Sequence, residues 1–424
     1  MRIEPVKGTS DYLPKEAALR EYIQNAILST YAANGFQRIM TPAVEDVENL
    51  DKSDGGDNLN LVFKILKRGQ KLTSAFAAGA IDSLADLGLR YDLTLPLTRY
   101  YANNRQNLMS PFKCIQIDKV YRAERPQKGR TRELVQCDID IIGSDSANCE
   151  IELINVTAKA LLSIGLSNFR VKINDRRILR DTLRSIGFTE EELPSVCITF
   201  DKLDKVGVEG IRSELSDKNI CAQKIDALIS FLDSFPLTLE DLRGRFNQPD
   251  AIENLEKIIG TTKALSEGKY DIYFDLSLVR GQGYYTGTVF EIESSDFNSS
   301  IAGGGRYDNL IGRFTKENIP AVGFSIGFER IYCILAENNF AIPTAKNKIA
   351  VIYDGDFIDA DNVAEQYRTE YDVTLFEKPK KLGRLIAALS ADGYYGLYVC
   401  GKSEKLERLV DIDDERRPGS GVGK

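Results

Sequence analysis

Apolar residues first recur at helical spacing near the start of the chain, over residues 17–33. Steps of three or four residues place them on one face, which predicts a long amphipathic helix. The apolar residues of that face are Leu19, Ile23, Ile27, Leu28 and Tyr31. Gly35 should end the helix, because glycine favours the left-handed conformation at a helix C-terminus, and residues 36–40 are predicted to form a short strand before Pro42.

Two longer segments, residues 112–123 and 134–142, alternate apolar with polar residues. The segment between them is short and charged, and it contains Pro126 and Gly129. The pattern therefore predicts two antiparallel strands joined by a loop.

The second of these strands carries a row of polar residues. Period-two alternation places Gln136, Asp138 and Asp140 on the face opposite Val135 and Ile139. Such a row is either a solvated face or the floor of a polar site. Antiparallel sheets commonly expose one side to water, which favours the solvated face.

Residues 173–267 contain a strand-like run at 196–200, and apolar residues recur there at helical spacing. This pattern predicts a mostly helical insertion. Strand patterns then return, and an apolar helix follows through Leu335. The returning strands are predicted at residues 272–279, 286–292 and 321–326.

The last part of the chain has a different pattern, with short strand-like runs separated by helix-like ones. These strand-like runs are residues 349–353, 373–376 and 396–400. The alternation predicts a small α/β domain over residues 349–415. It follows a larger first domain over residues 1–340 and a linker at 341–348. The glycine-rich residues 416–424 are predicted to be a flexible tail.

Composition limits the class of protein. The 424 residues are 43% hydrophobic and 28% charged, and no stretch approaches the ~18 uninterrupted apolar residues that a membrane helix needs. The N-terminal residues lack the pattern of a signal peptide, and the seven cysteines show no Cys-x-x-Cys spacing. A cytoplasmic protein without a membrane partner is predicted.

The chain contains no histidine. An imidazole base, a Ser-His-Asp triad and a His-ligated zinc are therefore excluded, and any catalysis must use carboxylates, tyrosines, arginines, lysines or a bound ion. The net charge is −8, so a nucleic-acid partner would need a local basic patch.

Residues 113–132 provide such a patch, with seven basic residues and only two acidic ones. Arginine recognises phosphate through parallel hydrogen bonds, so this segment is a candidate clamp for a polyphosphate. A solvated, charged loop is the alternative.

Two further features leave alternatives open. Arg280 follows an apolar strand, so its charge needs an anionic partner, which is either a protein carboxylate or a ligand. Residues 303–305 are three glycines close to Tyr307. By themselves they favour an ordinary flexible turn over a close approach of the backbone to a substrate.

Taken together and in chain order, four segments resemble class II aminoacyl-tRNA synthetases of the histidyl-tRNA synthetase family. Residues 7–14 are similar to the family's opening, and residues 35–45 to motif 1, which builds the family's dimer interface. Residues 121–130 resemble motif 2, and residues 323–330, ending Gly-Phe-Glu-Arg, resemble motif 3.

The histidine-specific part of the resemblance depends on residues 278–287 and 302–307, which are similar to two signatures of this family and its paralogues. Gln282-Gly283 stands where the family usually has Leu-Asp. One alternative is a catalytically silent paralogue that binds histidine as a regulatory subunit of ATP phosphoribosyltransferase. Such a sensor has no chemical need for the arginines, so their presence favours the enzyme.

The resemblance implies roles for eleven residues and for no protein metal ligand. The implied catalytic residues are Arg280 and Arg122. The implied ATP-binding residues are Arg122, Glu124 and Arg330. The implied histidine-binding residues are Asp92, Thr94, Gln136, Asp140, Arg280, Tyr284, Tyr285 and Tyr307.

The resemblance also implies an α+β fold, in which a class II synthetase-type antiparallel sheet is flanked by helices. The helical insertion would grip the acceptor stem of tRNA, and the C-terminal α/β domain would bind the anticodon. The implied activity is ATP-dependent conversion of L-histidine to histidyl-adenylate and transfer to the 3′ end of tRNA(His). A homodimer would carry it out, with ATP and Mg²⁺ as cofactors.

Overall fold

The structure is a computed structural model that describes residues 3–50, 61–200, 202–232, 237–243, 249–280 and 284–409. The chain divides after Phe340 into two compact units. The predicted tail at residues 416–424 and the Gln282-Gly283 pair lie outside the described residues. In the described ranges, every helix is too short or too polar to cross a membrane.

The first unit is built on a large, mostly antiparallel sheet. Its described strands are β1 (Gln37–Arg38), β2 (Val44–Asp46), β3 (Lys64–Leu66), β4 (Ala85–Leu89), β5 (Phe112–Tyr121), β6 (Glu133–Ile142), β7 (Phe169–Asp175), β8 (Asp271–Phe274), β9 (Thr288–Ser294), β10 (Phe297–Arg306) and β11 (Ala321–Gly327). The large sheet has the order β1-β5-β6-β11-β10-β9-β7-β8, and β2-β4-β3 form a small one. Only its outer pairs, β1 with β5 and β7 with β8, are parallel. The predicted antiparallel sheet is confirmed.

Helices flank this sheet. They are α1 (Pro14–Ala33), α2 (Val47–Leu50), α3 (Gln70–Ala77), α4 (Thr94–Asn104), α5 (Asn148–Ser163), α6 (Arg176–Ile186), α7 (Leu193–Phe200), α8 (Leu203–Asp217), α9 (Ala222–Leu232), α10 (Leu239–Leu242), α11 (Pro249–Ser266), α12 (Gly312–Thr315) and α13 (Phe328–Glu337). The predicted first helix is confirmed as α1, whose fully buried Ile23, Ile27 and Tyr31 belong to the face that packs on α5 and β5. Gly35 follows it with a φ of 87°.

The described residues between β7 and β8 carry helices α6 to α11. Strand β7 extends to Asp175, so residues 173–175 still belong to the sheet. The strand indicated by the pattern at residues 196–200 is wrong, because these residues lie in helix α7. Its buried residues follow helical spacing, at Val196, Cys197, Thr199 and Phe200. The strand predicted at 272–279 is shorter than expected and ends at Phe274.

The second unit is a small α/β structure. Its described elements are β12 (Lys348–Tyr353), α14 (Phe357–Arg368), β13 (Asp372–Glu377), α15 (Leu382–Ala391), β14 (Gly396–Val399) and β15 (Glu407–Arg408). Strand β12 lies between β13 and β14 and is parallel to both, whereas β15 is antiparallel to β14. The three predicted strands and their alternation with helices are confirmed.

Candidate active site

A cavity of about 1140 Å³ opens on the large sheet, over β6, β9, β10 and β11. Its wall includes all eleven residues to which the sequence assigned a role. They are Asp92, Thr94, Arg122, Glu124, Gln136, Asp140, Arg280, Tyr284, Tyr285, Tyr307 and Arg330. Motifs far apart in the chain therefore meet on one surface.

The floor of the cavity is the polar row of β6. Gln136, Asp138 and Asp140 all line it, and the two carboxyl residues are only 4% and 3% exposed. The solvated face that the alternation favoured is therefore wrong. Residues 137–142 of β6 are all buried, so both faces of this part of the strand are shielded from water.

Aromatic rings and a hydrogen bond surround Asp140. The Tyr307 hydroxyl donates to Asp140 Oδ1 at 2.6 Å, and the Tyr284 ring meets the Tyr307 ring edge-on and also contacts the Tyr285 ring. Burial raises the pKa of Asp140 to about 7, although the Tyr307 hydrogen bond opposes the shift. This end of the cavity combines a carboxylate with flat apolar surfaces.

Asp92 lies just before α4 and is 2% exposed. Its Oδ1 accepts the backbone N–H of Leu95 at 3.2 Å, whereas its Oδ2 is buried without a hydrogen-bond partner. Burial raises the pKa of Asp92 to about 6, and the nearby Arg122 charge lowers it only in part. The floor thus holds several carboxyl groups with little positive charge beside them.

These raised pKa values imply a pH-dependent stability of the empty protein. Folded Asp140, with its pKa of about 7, retains a proton that the unfolded chain releases near pH 4. The free energy of unfolding should therefore fall as the pH rises from about 4 to 7, by up to about 4 kcal/mol. Asp140→Asn removes this titration, so its stability relative to the unmodified protein should increase between pH 5 and pH 8.

Urea unfolding of both proteins across this pH range measures the effect. Asp145→Asn is the matched control, because Asp145 is exposed in the loop after the same strand. Parallel pH profiles for the unmodified protein and Asp140→Asn would contradict the raised pKa.

Cationic residues line the remaining part of the cavity. Arg280 Nη1 donates to Glu291 Oε2 at 2.8 Å, so the anionic partner expected for Arg280 is, in this structure, a protein carboxylate. Arg280 has a φ of 59°, a left-handed conformation that is rare outside glycine. Burial alone would lower the pKa of Arg280, but Tyr285 and Glu291 raise it above its ordinary value, so the group is charged.

The three glycines lie within β10 and face Arg280 and the neighbouring strands, so the flexible turn is wrong. A Cβ on Gly303 would come within 1.9 Å of Arg280 Nη1. A Cβ on Gly304 would come within 2.0 Å of the Gly323 carbonyl oxygen, and one on Gly305 within 2.7 Å of the Thr288 carbonyl oxygen. The missing side chain of Gly303 allows the Arg280 guanidinium to lie against β10, and those of Gly304 and Gly305 allow the close approach of neighbouring groups.

Arg330 begins a second cationic group at the first turn of α13. Its Nη1 donates to the carbonyl oxygen of Ser300 and to Ser300 Oγ. Burial, together with the neighbouring charges of Arg130, Arg280 and Arg122, lowers the pKa of Arg330 to about 10. An arginine whose pKa is lowered by burial and by neighbouring cations favours an anionic ligand beside it.

The basic segment at 113–132 contributes fewer cationic side chains to the cavity than its composition suggests. Arg122, whose Nε donates to the Tyr91 carbonyl oxygen at 2.9 Å, lines the cavity together with Arg130. Lysines of the segment pair with carboxylates elsewhere, in Lys113–Glu152, Lys119–Glu133 and Lys128–Glu337. Of the seven basic residues in the candidate clamp, Arg122 and Arg130 therefore line the cavity.

Sequence reasoning missed several residues of the cavity. Asp138, Glu291, Ser300 and Ser325 all line it without having been assigned a role. The alternation in β6 contained the signal for Asp138, whereas nothing in the sequence indicated that Glu291 would reach Arg280.

A buried ion pair forms part of the cavity wall, which Glu329 lines. Arg20 in α1 makes two hydrogen bonds to the Glu329 carboxylate, at 2.6 and 2.8 Å, and its guanidinium lies 4.0 Å from the centre of the Tyr12 ring. Glu329 Oε1 also accepts the backbone N–H of Val135 at 3.1 Å. These bonds tie α1 and β6 to the start of α13, next to Arg330.

The cavity therefore has a carboxyl-rich, aromatic end that adjoins a cationic end, with Arg122 near Asp92 and Tyr285 hydrogen-bonded to Arg280. Among the described residues, no group of three or more Cys, Asp and Glu side chains is placed to hold a metal ion. Such a cavity can bind a small ammonium compound beside a polyphosphate and align the two for reaction.

Sequence and structure comparisons identify relatives of the chain. A sequence profile described as histidyl-tRNA synthetase matches residues 8–331. The chain is 44% identical over 367 residues to a histidine–tRNA ligase of Leifsonia xyli subsp. xyli, covering 83% of this chain and 84% of that protein. It is 37% identical over 363 residues to a histidine–tRNA ligase of Phocaeicola vulgatus, covering 82% and 79%.

Solved structures with a similar fold also match the chain. The crystal structure of histidyl-tRNA synthetase from Nostoc sp. PCC 7120 matches with a TM-score of 0.75 at 26% identity, over 94% of this chain and 91% of that one. An ATP phosphoribosyltransferase regulatory subunit/histidyl-tRNA synthetase from Bacillus halodurans also matches with a TM-score of 0.75, at 23% identity, over 95% and 100%. The second match shows a shared fold alone.

Proposed function

The chain belongs to the histidyl-tRNA synthetase family, and from this premise we propose that its cavity converts L-histidine and ATP to histidyl-adenylate and then charges tRNA(His). The protein is an aminoacyl-tRNA ligase of class II. The observation that carries the site assignment is the contact between the two ends of the cavity, where carboxyl groups and tyrosines adjoin Arg122, Arg280 and Arg330.

The first step needs alignment and charge stabilisation more than a base. An oxygen of the histidine carboxylate attacks the α-phosphorus of ATP, the bond from that phosphorus to the bridging oxygen breaks, and pyrophosphate leaves. The carboxylate is already deprotonated, so no side chain has to remove a proton. A chain without histidine is therefore equipped for this reaction.

The arginines supply the stabilisation. Arg280 and Arg122 contact the carboxylate and the α-phosphate, where negative charge accumulates in the transition state. Arg330 lies beside the ATP adenine and terminal phosphate. The negative phosphate offsets the burial and the neighbouring cations that lower the pKa of Arg330 in the empty cavity. Glu291 holds the Arg280 guanidinium in place before ATP binds.

Histidine binds at the other end. Asp92 and Gln136 hold its amino group, and Thr94 lines the same part of the cavity, while Asp140 and Tyr307 recognise its imidazole beside the rings of Tyr284 and Tyr285. In the second step, a ribose hydroxyl at the 3′ end of tRNA attacks the acyl carbon of the adenylate and AMP leaves.

Mg²⁺ accompanies ATP and would neutralise its phosphates. Magnesium takes oxygen ligands and is usually held by one or two carboxylates together with substrate phosphates. Glu124 and Glu291 line the cationic end of the cavity and fit this requirement, so they would hold the ion.

Other parts of the chain serve the tRNA and the assembly. The helices α6 to α11 would grip the acceptor stem, and residues 349–415 would bind the anticodon, at the cytoplasmic site of translation. The small sheet exposes Val44, Leu66 and Leu87, and α3 nearby in sequence exposes Phe76. Apolar surface of this kind typically marks a protein interface, which supports a homodimer.

Amino-acid-dependent exchange of pyrophosphate into ATP tests the first step directly. Purified protein with Mg²⁺ and each of the twenty amino acids in turn should exchange label with histidine alone. Exchange with another amino acid would overturn the specificity. Histidine binding without any exchange would instead indicate a regulatory paralogue, in which the arginines have no catalytic role.

A further inference from the structure

Three polar atoms on the wall of the cavity are buried and have no hydrogen-bond partner. They are Asp92 Oδ2, Gln136 Oε1 and Asp138 Oδ1. A buried acceptor without a partner loses the bonds it would make to water, so such atoms in a binding cavity indicate a ligand with matching donors. Two of the three residues already have a role in binding histidine, whereas Asp138 has none.

The surroundings of Asp138 orient the neighbouring acceptors. In the sheet register, Asp138 lies opposite Ser325 of β11 on one side and Gln116 of β5 on the other. The Ser325 hydroxyl hydrogen-bonds to the Asp138 carboxylate and accepts from Gln136 Nε2 at 3.0 Å. The Gln136 amide is thereby fixed with its Nε2 on Ser325 and its Oε1 left over.

The other polar neighbours are already occupied. Gln116 donates to the Leu93 carbonyl oxygen at 3.0 Å and accepts from the Thr41 hydroxyl at 3.1 Å. Asp140 Oδ1 accepts from Tyr307. Asp92, Gln136 and Asp138 form a corner of the cavity. Most of the unused hydrogen-bond acceptors of this corner therefore belong to these three residues.

The electrostatics of this corner favour a cation. Burial raises the pKa of Asp138 well above its ordinary range, and the neighbouring Asp140 and Asp92 raise it further, while Ser325 and Arg122 oppose the shift. A positive ligand beside these groups would relieve both the repulsion and the missing hydrogen bonds.

The number of acceptors matches one chemical group. A primary ammonium has three N–H donors and no acceptor, and the corner offers three unpartnered acceptors. We propose that Asp138 is a specificity-determining residue that accepts one hydrogen bond from the substrate α-ammonium, with Asp92 and Gln136 accepting the other two. This inference rests on the proposed function, because it takes the substrate to be a free amino acid.

Two histidine analogues separate this contact from the rest of the pocket. Histidinol keeps the ammonium and the imidazole but lacks the carboxylate, whereas imidazolepropionate keeps the imidazole and the carboxylate but lacks the ammonium. Calorimetric titration of each analogue into Asp138→Asn, Asp138→Ala and the exposed-site control Asp145→Asn reports the contact. Melting temperatures of the variants show whether each is folded, and Asp138→Asn preserves the shape of the residue if the alanine variant does not fold.

Loss of a hydrogen bond to a charged group should weaken histidinol binding by about 10- to 100-fold in Asp138→Ala, and by less in Asp138→Asn. Imidazolepropionate should bind the variants and the unmodified protein within about twofold. An equal loss for both analogues would overturn the proposal, since it indicates general damage to the pocket. Unchanged histidinol binding would overturn it as well.

The proposed function is tested separately. Absence of histidine-dependent exchange in the unmodified protein would overturn the synthetase activity, while the histidinol titration would still report whether the ammonium is bound through Asp138.

Discussion

Replacement of Arg280 by alanine should abolish histidine-dependent pyrophosphate exchange while the protein remains folded. Loss of one preorganised donor to developing charge typically lowers the rate by about 10²–10³, and Arg280 lines the cavity as a half-buried, charged guanidinium. Its partner Glu291 keeps a quarter of its side chain exposed, so the unpaired carboxylate can be hydrated and stability should change little.

Exchange rates and melting temperatures of Arg280→Ala and Arg105→Ala measure this effect. Arg105 is a matched control because it also makes an ion pair with a glutamate, Glu317, but on the exposed surface away from the cavity. Arg280→Lys keeps the charge without the planar fork and should recover little activity. Unchanged exchange in Arg280→Ala would contradict the assigned role.

Gly304→Ala should destabilise the first unit by about 3 kcal/mol or more. The new Cβ would lie 2.0 Å from the carbonyl oxygen of Gly323 and 2.8 Å from both the Phe290 ring and Phe324 Cα. Strand β10 is fixed between β9 and β11, so neither the backbone nor the rings can move aside without breaking the register.

Gly287→Ala is the control for this substitution. A Cβ at that position meets only the Arg306 side chain, at 3.6 Å, which is ordinary van der Waals contact. Urea unfolding of both variants, followed by circular dichroism, measures the difference in stability. Equal midpoints for the two variants would show that β10 is less closely packed than the structure indicates.

Local patterns were sufficient where one face of an element is apolar. The alternation in residues 112–123 and 134–142 predicted β5 and β6, and the spacing in residues 17–33 predicted α1. The same approach failed at residues 196–200, where β-branched residues suggest a strand but packing against neighbouring helices decides the conformation. It also failed at residues 303–305, since glycines carry no side chains whose alternation could indicate a strand.

The candidate site shows the same limit. Motifs and resemblance selected eleven residues that lie on one cavity, but the environment of those residues depends on segments remote in the chain. Whether the polar face of β6 meets water depends on what covers the sheet, which residues 134–142 do not specify. The Arg20–Glu329 ion pair joins positions 309 residues apart, and no periodicity connects them.

The cavity described here is walled by carboxyls and tyrosines in a chain that contains neither histidine nor tryptophan. In a complex with histidine, the substrate would therefore supply the sole imidazole ring. Nuclear magnetic resonance signals from imidazole nitrogens would then arise from the ligand alone, without isotopic labelling of the protein. The protonation state and tautomer of bound histidine would become directly observable quantities, and the proposed site predicts that Asp140 and Tyr307 determine them.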